Sequence, residues 1–400
     1  MKDIHYKNDI LKALFLSGNL STTQLAEMTG KSLSLIMKMI GVLLNEGLIQ
    51  EEGLAPSNGG RRPATFGLAK DAFYIIAIAM DQFVTRVTIL DAHRRFVLPI
   101  QEMELDLAEN TQALQELAKF IQKVTTSAQI DVQKIIGIGI GMPGFIDPTK
   151  GINYTFLGTN IREKLEQATG FPIFIENDSS AIALAEYKFG ESAGEKNVLV
   201  INIGWGIGLG MIIENHLFRG ENGFAGEFSH IPIFKNGKLC SCGKIGCLET
   251  ETSLTYMLNK AREEIQQGKA SVLKDGLTAG KHRELNYAAF MDAAKSGDPL
   301  TIEIISNAGY NIGRGIAILI HLINPGKIVL SGRCSAAGHI WLPPIQRAIN
   351  EFCIPRLVSN TKIVTSSMSH NAEIIGSALL VIENVHTSSI SKRYNSSLNS

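Results

Sequence analysis

The sequence predicts a mixed α/β protein that opens with a small helical segment and a wing. Three observations predict it: apolar residues at helical spacing up to Asn45, β-branched runs alternating with helical stretches from Phe73 onward, and three cysteines gathered between positions 240 and 247. Strands separated by helices are the sequence pattern of α/β architecture.

The first element is a helix over residues 8–17, where Ile10, Leu11, Leu14 and Phe15 share a face and Gly18 ends the run. Ser21 then caps a second, short helix, with Gln24 at the capping-box position and Thr29-Gly30 making the turn. A third helix runs from about Ser32 to Asn45, with Leu33, Ile36, Ile40, Leu43 and Leu44 expected inward and Gly47 closing it. This is a helix-turn-helix. Residues 48–53 and 62–68 bracket Gly59-Gly60 as two short strands, a wing with Arg61 and Arg62 at its tip.

Guanidinium forks bind phosphate oxygens bidentately and fit narrow grooves, so Arg61 and Arg62 are expected to contact DNA backbone or minor groove. On the third helix Ser32, Ser34, Leu35 and Met37 suit base edges and thymine methyls, while Lys31 and Lys38 suit phosphates. The same helices would also serve as a protein-protein module. Residues 1–70 hold eight Lys or Arg against six Asp or Glu, so charge alone does not decide.

From Phe73 the runs 74–80, 84–90, 135–140, 173–175, 198–203, 209–213 and 328–330 read as strands, with a helix over 108–127 among those between them. The longest apolar stretch, 135–146, is interrupted or ended by five glycines or prolines. It is too short for a membrane span and reads as a buried strand with its turn.

Cys240, Cys242 and Cys247 follow His230 closely, and three thiols with a nearby imidazole suit one tetrahedral zinc. Gly243 and Gly246 let the backbone wrap tightly around an ion. The alternative is a disulfide between two of the cysteines, or free buried thiols. Five cysteines in 400 residues with no secretion signal suggest a cytoplasmic setting where thiols stay reduced. The 45% apolar and 19% charged content excludes global disorder, and the zero net charge means that any nucleic-acid affinity needs a local basic patch.

The run 219–230, R-G-E-N-G-F-A-G-E-F-S-H, followed by the cysteines and Glu249 and preceded by Glu176-Asn177-Asp178, resembles the signature of the ROK family of sugar kinases and sugar-responsive repressors. The likeness runs from about Ala72 to about Glu383, and the Gly-Gly-Arg-Arg-Pro segment resembles the wing of the repressor branch. It implies a winged helix-turn-helix over 1–70 and a two-lobed actin-like, ribonuclease H-like body over 71–385 with a sugar cleft between the lobes, while the Ser- and Asn-rich tail over 386–400 reads as disordered from its composition. It also implies a homodimer or homotetramer on two-fold symmetric operator DNA.

Within that cleft the resemblance places sugar contacts on Asn177, Asp178, Glu227, His230 and Glu249, with the backbone near Gly144. Carboxylates and amides on rigid turns take paired bonds from adjacent hydroxyls. One ring nitrogen of His230 is expected on zinc and the other on a hydroxyl. The family's kinases carry an Asp and then Gly-Gly-Thr in a phosphate-cradling hairpin. Here Ala79 stands at the Asp position and Asp81-Gln82-Phe83 at Gly-Gly-Thr, while Trp205 replaces the Thr of the second phosphate loop. Asp178, the base of the kinases, remains. The resemblance to the family's C-terminal helix and strand assigns 309–328 to packing of the second lobe.

These residues predict a sugar-responsive transcriptional regulator, most simply a repressor, with a non-catalytic kinase-like body. The alternatives are an active sugar kinase with a DNA-binding head and a zinc-stabilised protein-binding scaffold.

Overall fold

Ser21 and Gln24 bond each other's main-chain N–H groups in a reciprocal capping box, and this starts the second helix of the head. The computed structural model of the protein describes residues 2–54, 62–275, 277 and 283–384. Its head comprises α1 (Lys2–Ser17), β1 (Leu20–Ser21), α2 (Thr22–Thr29), α3 (Leu33–Asn45), β2 (Ile49–Leu54) and β3 (Ala64–Leu68). The strands form a three-stranded sheet in the order β1-β3-β2, which makes this a winged helix-turn-helix. Arg62 is exposed at the start of the return strand; Arg61, Gly59 and Gly60 lie outside the described residues.

Two sequence expectations are corrected in the head. α1 begins at Lys2, well before residue 8. In α3 the buried face is Ile36, Met39, Ile40 and Leu43, whereas Leu33 and Leu44 are 48% and 38% exposed. Leu33 is three before Ile36 and Leu44 four after Ile40, so spacing alone does not separate them from the buried stripe; they fall at its flank.

The chain divides into two compact units, residues 1–177 with 377–400, and 178–376. Beyond the head, the first unit contains β4 (Tyr74–Met80), β5 (Val84–Asp91), β6 (Gln101–Glu104), α4 (Ala113–Ser127), β7 (Ile135–Met142), β8 (Ile146–Asp147), β9 (Ile152–Asn153), α5 (Ile161–Thr169) and β10 (Ile173–Asn177). The second contains α6 (Asp178–Phe189), β11 (Val198–Ile203), β12 (Ile207–Ile213), β13 (His216–Leu217), α7 (Leu254–Gln266), α8 (Arg283–Lys295), α9 (Pro299–Ile323), β14 (Lys327–Ser331), α10 (Gly338–Phe352), α11 (Pro355–Val358) and β15 (Lys362–Thr365). The last helix, α12 (Ala372–Asn384), carries the boundary between units within its length.

Both central sheets follow one plan. The first runs β10-β7-β4-β5-β6 and the second β15-β14-β11-β12-β13, each an antiparallel meander extended by two parallel strands. In the first unit Ile76, Ile78, Val87, Ile89, Ile138 and Ile140 pack with Leu117 and Ile121 of α4. The other face of β7 is bare of side chains for a reason: a Cβ at Gly139 would stand 1.8 Å from the Ser377 carbonyl of α12. In the second unit Ile182, Val198, Val200, Ile212 and Val329 form part of the core. The expected helix at 309 extends back to Pro299, and its Gly309 and Gly313 let α9 lie close to Trp341, Ile345 and Ala348 of α10.

Candidate functional site: a carboxylate and imidazole cluster beside a Cys3His centre

Cys247 caps a short 3-10 turn over Leu248–Glu251, and His230 ends another over Phe228–His230. The ligand atoms of His230, Cys240, Cys242 and Cys247 lie within 4.8 Å of one another. His230 Nδ1 is 3.5 Å from Cys240 Sγ, and Cys242 Sγ is 3.6 Å from Cys247 Sγ. A tetrahedral ion held by thiolates at about 2.3 Å and an imidazole at about 2.0 Å has edges of about 3.5–3.8 Å. A disulfide needs about 2.05 Å, so the pairing of Cys242 with Cys247 is not one, and all four described cysteines are free. Burial raises the Cys247 thiol, while the Lys244 main-chain N–H lowers that of Cys242. Gly246 is demanded by space as well as by its positive φ of 83°, because a Cβ there would meet the Phe234 carbonyl at 1.9 Å.

The same two turns carry the acidic residues. Glu227 precedes the turn that ends at His230, and its Oε2 lies 3.7 Å from His230 Nε2. The ring therefore turns Nδ1 toward the cysteines and Nε2 toward the carboxylates. Glu249 Oε2 accepts from the Ile207 N–H at 3.4 Å, and Gly206 allows this because a Cβ there would come within 2.6 Å of the same oxygen. Burial, then the charges of Asp178 and Glu249, push the Glu227 carboxyl up to about 7. Burial also raises Glu249, which the charge of His230 partly offsets. Behind the turns, a Cβ at Gly315 of α9 would meet the Phe228 ring at 2.7 Å, so the helix seals this wall.

Asp178 is the first residue of α6. Its Oδ1 accepts from the Ser179 N–H at 2.7 Å and its Oδ2 from Asn202 Nδ2 at 3.3 Å. Asn202 was not foreseen. A polar side chain inside the apolar run 198–203 is the signal that would have found it, since a strand buries such a group only with partners. In the first unit, Asn177 Nδ2 donates to the Gly144 carbonyl at 3.3 Å. Gly144, at φ 104°, is shaped by a second unforeseen residue: Asn153 donates to the Pro143 carbonyl at 2.9 Å and accepts from the N–H groups of Thr155 and Phe156.

The turns at Asp81 and Trp205 make contacts with this chain's own groups. In the β4–β5 turn, Asp81 Oδ1 accepts from the main-chain N–H groups of Phe83 and Val84, both at 2.8 Å. In the second unit Trp205 is 8% exposed and the Arg333 guanidinium lies 5.6 Å from its ring centroid. Arg333 also stacks on Tyr287 and pairs with Glu284 at 2.8 Å. Trp205 follows β11 and Arg333 follows the parallel β14, so the pair occupies the carboxyl ends of adjacent strands, where open α/β sheets bind nucleotides.

In the head, Ser34, Met37 and Lys38 are exposed on α3 and Leu35 is half-buried. Ser32 is the N-cap of the helix, its Oγ accepting from the Leu35 N–H at 3.4 Å. Lys31 lies over the Tyr6 ring and 3.9 Å from Asp9. Among the described residues no helix is long and apolar enough to cross a membrane.

Comparison with known proteins agrees with this arrangement. Residues 86–384 match the ROK family model and residues 5–50 match a winged helix-turn-helix DNA-binding model. The chain is 30% identical over 386 residues to the xylose repressor of Bacillus spizizenii (strain ATCC 23059 / NRRL B-14472 / W23), covering 94% of each chain. The solved structure of a ROK family transcriptional regulator, a homolog of the E. coli MLC protein, superimposes with a TM-score of 0.79 at 27% identity, covering 98% of this chain and 99% of that one. A ROK family glucokinase from Streptomyces griseus, solved with glucose and AMPPNP, gives 0.67 at 26% identity over 77% of this chain and 98% of its own. With a matching body, a matching head and the Cys3His cluster in place, the chain belongs to the ROK family and carries a winged helix-turn-helix at its N-terminus.

Proposed function

We propose that the protein is a sugar-responsive transcriptional repressor whose body binds a sugar without phosphorylating it. The observation that carries this reading is the contrast between a hydroxyl-binding cluster that is intact and phosphate loops that are filled. Asp178, Glu227, His230 and Glu249 offer acceptors and an imidazole, and we assign them to sugar hydroxyls; Asn177 and the main chain at Gly144 take the same role in the first unit. The Asp81 carboxylate takes N–H groups of the hairpin where a phosphate would need them, and Trp205 with Arg333 fills the second position. Phosphoryl transfer rests on positioning and charge neutralisation at the phosphates, and neither is provided here.

A zinc ion suits the Cys3His set. It would fix the turns that carry Glu227, His230 and Glu249 and the tautomer of His230. The head binds operator DNA with Lys31, Ser32, Ser34, Leu35, Met37 and Lys38 of the α3 region and Arg61 and Arg62 of the wing. Two-fold operators call for a homodimer or homotetramer. The cytoplasm is the compartment where such a repressor meets DNA and reduced thiols. The retained Asp178 favours one alternative, an active sugar kinase with a DNA-binding head.

Calorimetry with xylose, glucose and N-acetylglucosamine tests the reading. At least one sugar should bind, Asp178→Ala and Glu249→Ala should each weaken it by at least about tenfold, the loss of a charged hydrogen bond, and ATP should give no heat. Sugar-dependent ATP turnover near about 1 per second would establish the kinase instead.

A further inference from the structure

Recognition helices discriminate base pairs chiefly with side chains that reach two atoms on one base edge: Arg or Lys on guanine, Asn or Gln on adenine, Asp or Glu on cytosine. From Leu33 to Leu44, α3 contains no Arg, Asn, Gln, Asp or Glu, and Lys38 is its one charged residue. What it exposes instead is an apolar stripe. Leu33 and Met37 are 48% and 59% exposed, four positions apart, and Gly41 continues the stripe to Leu44. Ser34 and Lys38 run beside it.

Gly41 is a second, independent sign. A glycine inside a helix costs about 1 kcal/mol relative to alanine, a cost that close packing against a partner would offset. Among the described residues nothing packs close: a Cβ at Gly41 would meet no heavy atom within 4 Å. The space it leaves faces outward, on the stripe shared with Leu33 and Met37.

Resting on the DNA-binding reading above, we propose that α3 reads thymine-bearing half-sites through methyl contacts. Leu33 and Met37 seat on thymine C5-methyl groups in the major groove, and Gly41 lets the helix backbone come against the groove wall. Ser34 and Lys38 then supply only flanking hydroxyl and phosphate contacts, so discrimination rests on the methyls.

The experiment begins with the full chain and a pool of randomised duplexes, from which bound sequences are enriched at fixed salt. The recovered site is then remade with uracil for thymine, which removes the methyl and leaves every hydrogen-bonding edge unchanged. Thymine should be enriched in both half-sites, and the uracil duplex should bind about 4-fold more weakly for each contacted methyl. The Leu33→Ala/Met37→Ala protein should bind the two duplexes alike. Gly41→Ala should keep or raise the melting temperature, as helix propensity requires, yet weaken binding by about tenfold or more. Equal affinity of the native protein for thymine and uracil duplexes, or full affinity of Gly41→Ala, overturns the inference while leaving DNA binding intact. If no duplex is enriched, the DNA-binding reading falls with it.

Discussion

Cys247 is fully buried, and its thiol faces Cys242 at a separation that suits an intervening cation and not a bond between the sulfurs. A closed thiolate site contributes folding free energy directly, so Cys247→Ser should reduce bound zinc from about one per chain to near zero and lower the melting temperature by at least about 5 °C. Metal analysis under reducing, chelator-free conditions decides it; full zinc occupancy in the variant would show that the ion is held elsewhere. Every residue of this cluster was legible in the sequence, because three thiols and an imidazole at short spacing have few other uses. Asn202 and Asn153 were not, since their roles depend on which main-chain and carboxylate atoms the fold brings to them.

Among the elements, α9 shows how one cap anchors a long helix. Asp298 accepts from the Thr301 N–H at 2.9 Å through Oδ1 and from the Val272 N–H at 3.0 Å through Oδ2. Burial alone would raise its carboxyl, but these N–H groups together with the hydroxyls of Ser271 and Thr301 outweigh burial and hold it below the ordinary carboxylate range. A carboxyl with a lowered folded pKa contributes stability that is present above its unfolded pKa, 3.8, and lost as pH falls through the folded value. Asp298→Ala should therefore cost about 1–2 kcal/mol at pH 7, read from urea midpoints, with the difference shrinking below about pH 4. An equal deficit at both pH values would mean that the carboxylate's charge is irrelevant. α3 teaches the opposite lesson about sequence reading. Its length followed from the residues, but which of its leucines face inward depended on the surfaces of the neighbouring elements.

For the molecule as a whole, the head is tied to the sheet of its own unit by a few identifiable contacts. Arg94, at φ 64° in the turn after β5, donates to the carbonyls of Phe15 and Leu16, the last two residues before Ser17 at the end of α1, and its guanidinium lies 5.9 Å from the Phe15 ring centroid. Phe15 also meets Phe73 at 6.2 Å, and Lys12 pairs with Glu383 of α12. Helix carbonyls without partners need donors, and Arg94 meets that need across a long sequence separation. Removing it in Arg94→Ala should raise amide exchange through α1 by about tenfold, the loss of a charged hydrogen bond, while β4 and β7 stay protected. Unchanged exchange in α1 would place the anchoring in Phe15 and Lys12 alone. At the wing, replacing Arg61 and Arg62 by Ala should flatten the salt dependence of DNA binding by about one to two units of slope and leave sugar affinity unaltered.

The sequence by itself determined the element types, the Cys3His cluster and the family, because these rest on short-range signals: periodicity, caps, and donor residues a few positions apart. Tertiary structure decided three things that no local pattern encodes. It set the outward turn of Leu33, the bond of Asn202 to Asp178, and the stacking of Arg333 on Trp205, more than a hundred residues away. Each depends on which surfaces meet after the chain has folded. That meeting is set by packing of whole elements, where a side chain's partner is chosen by proximity in space and its sequence neighbours carry no trace of the choice.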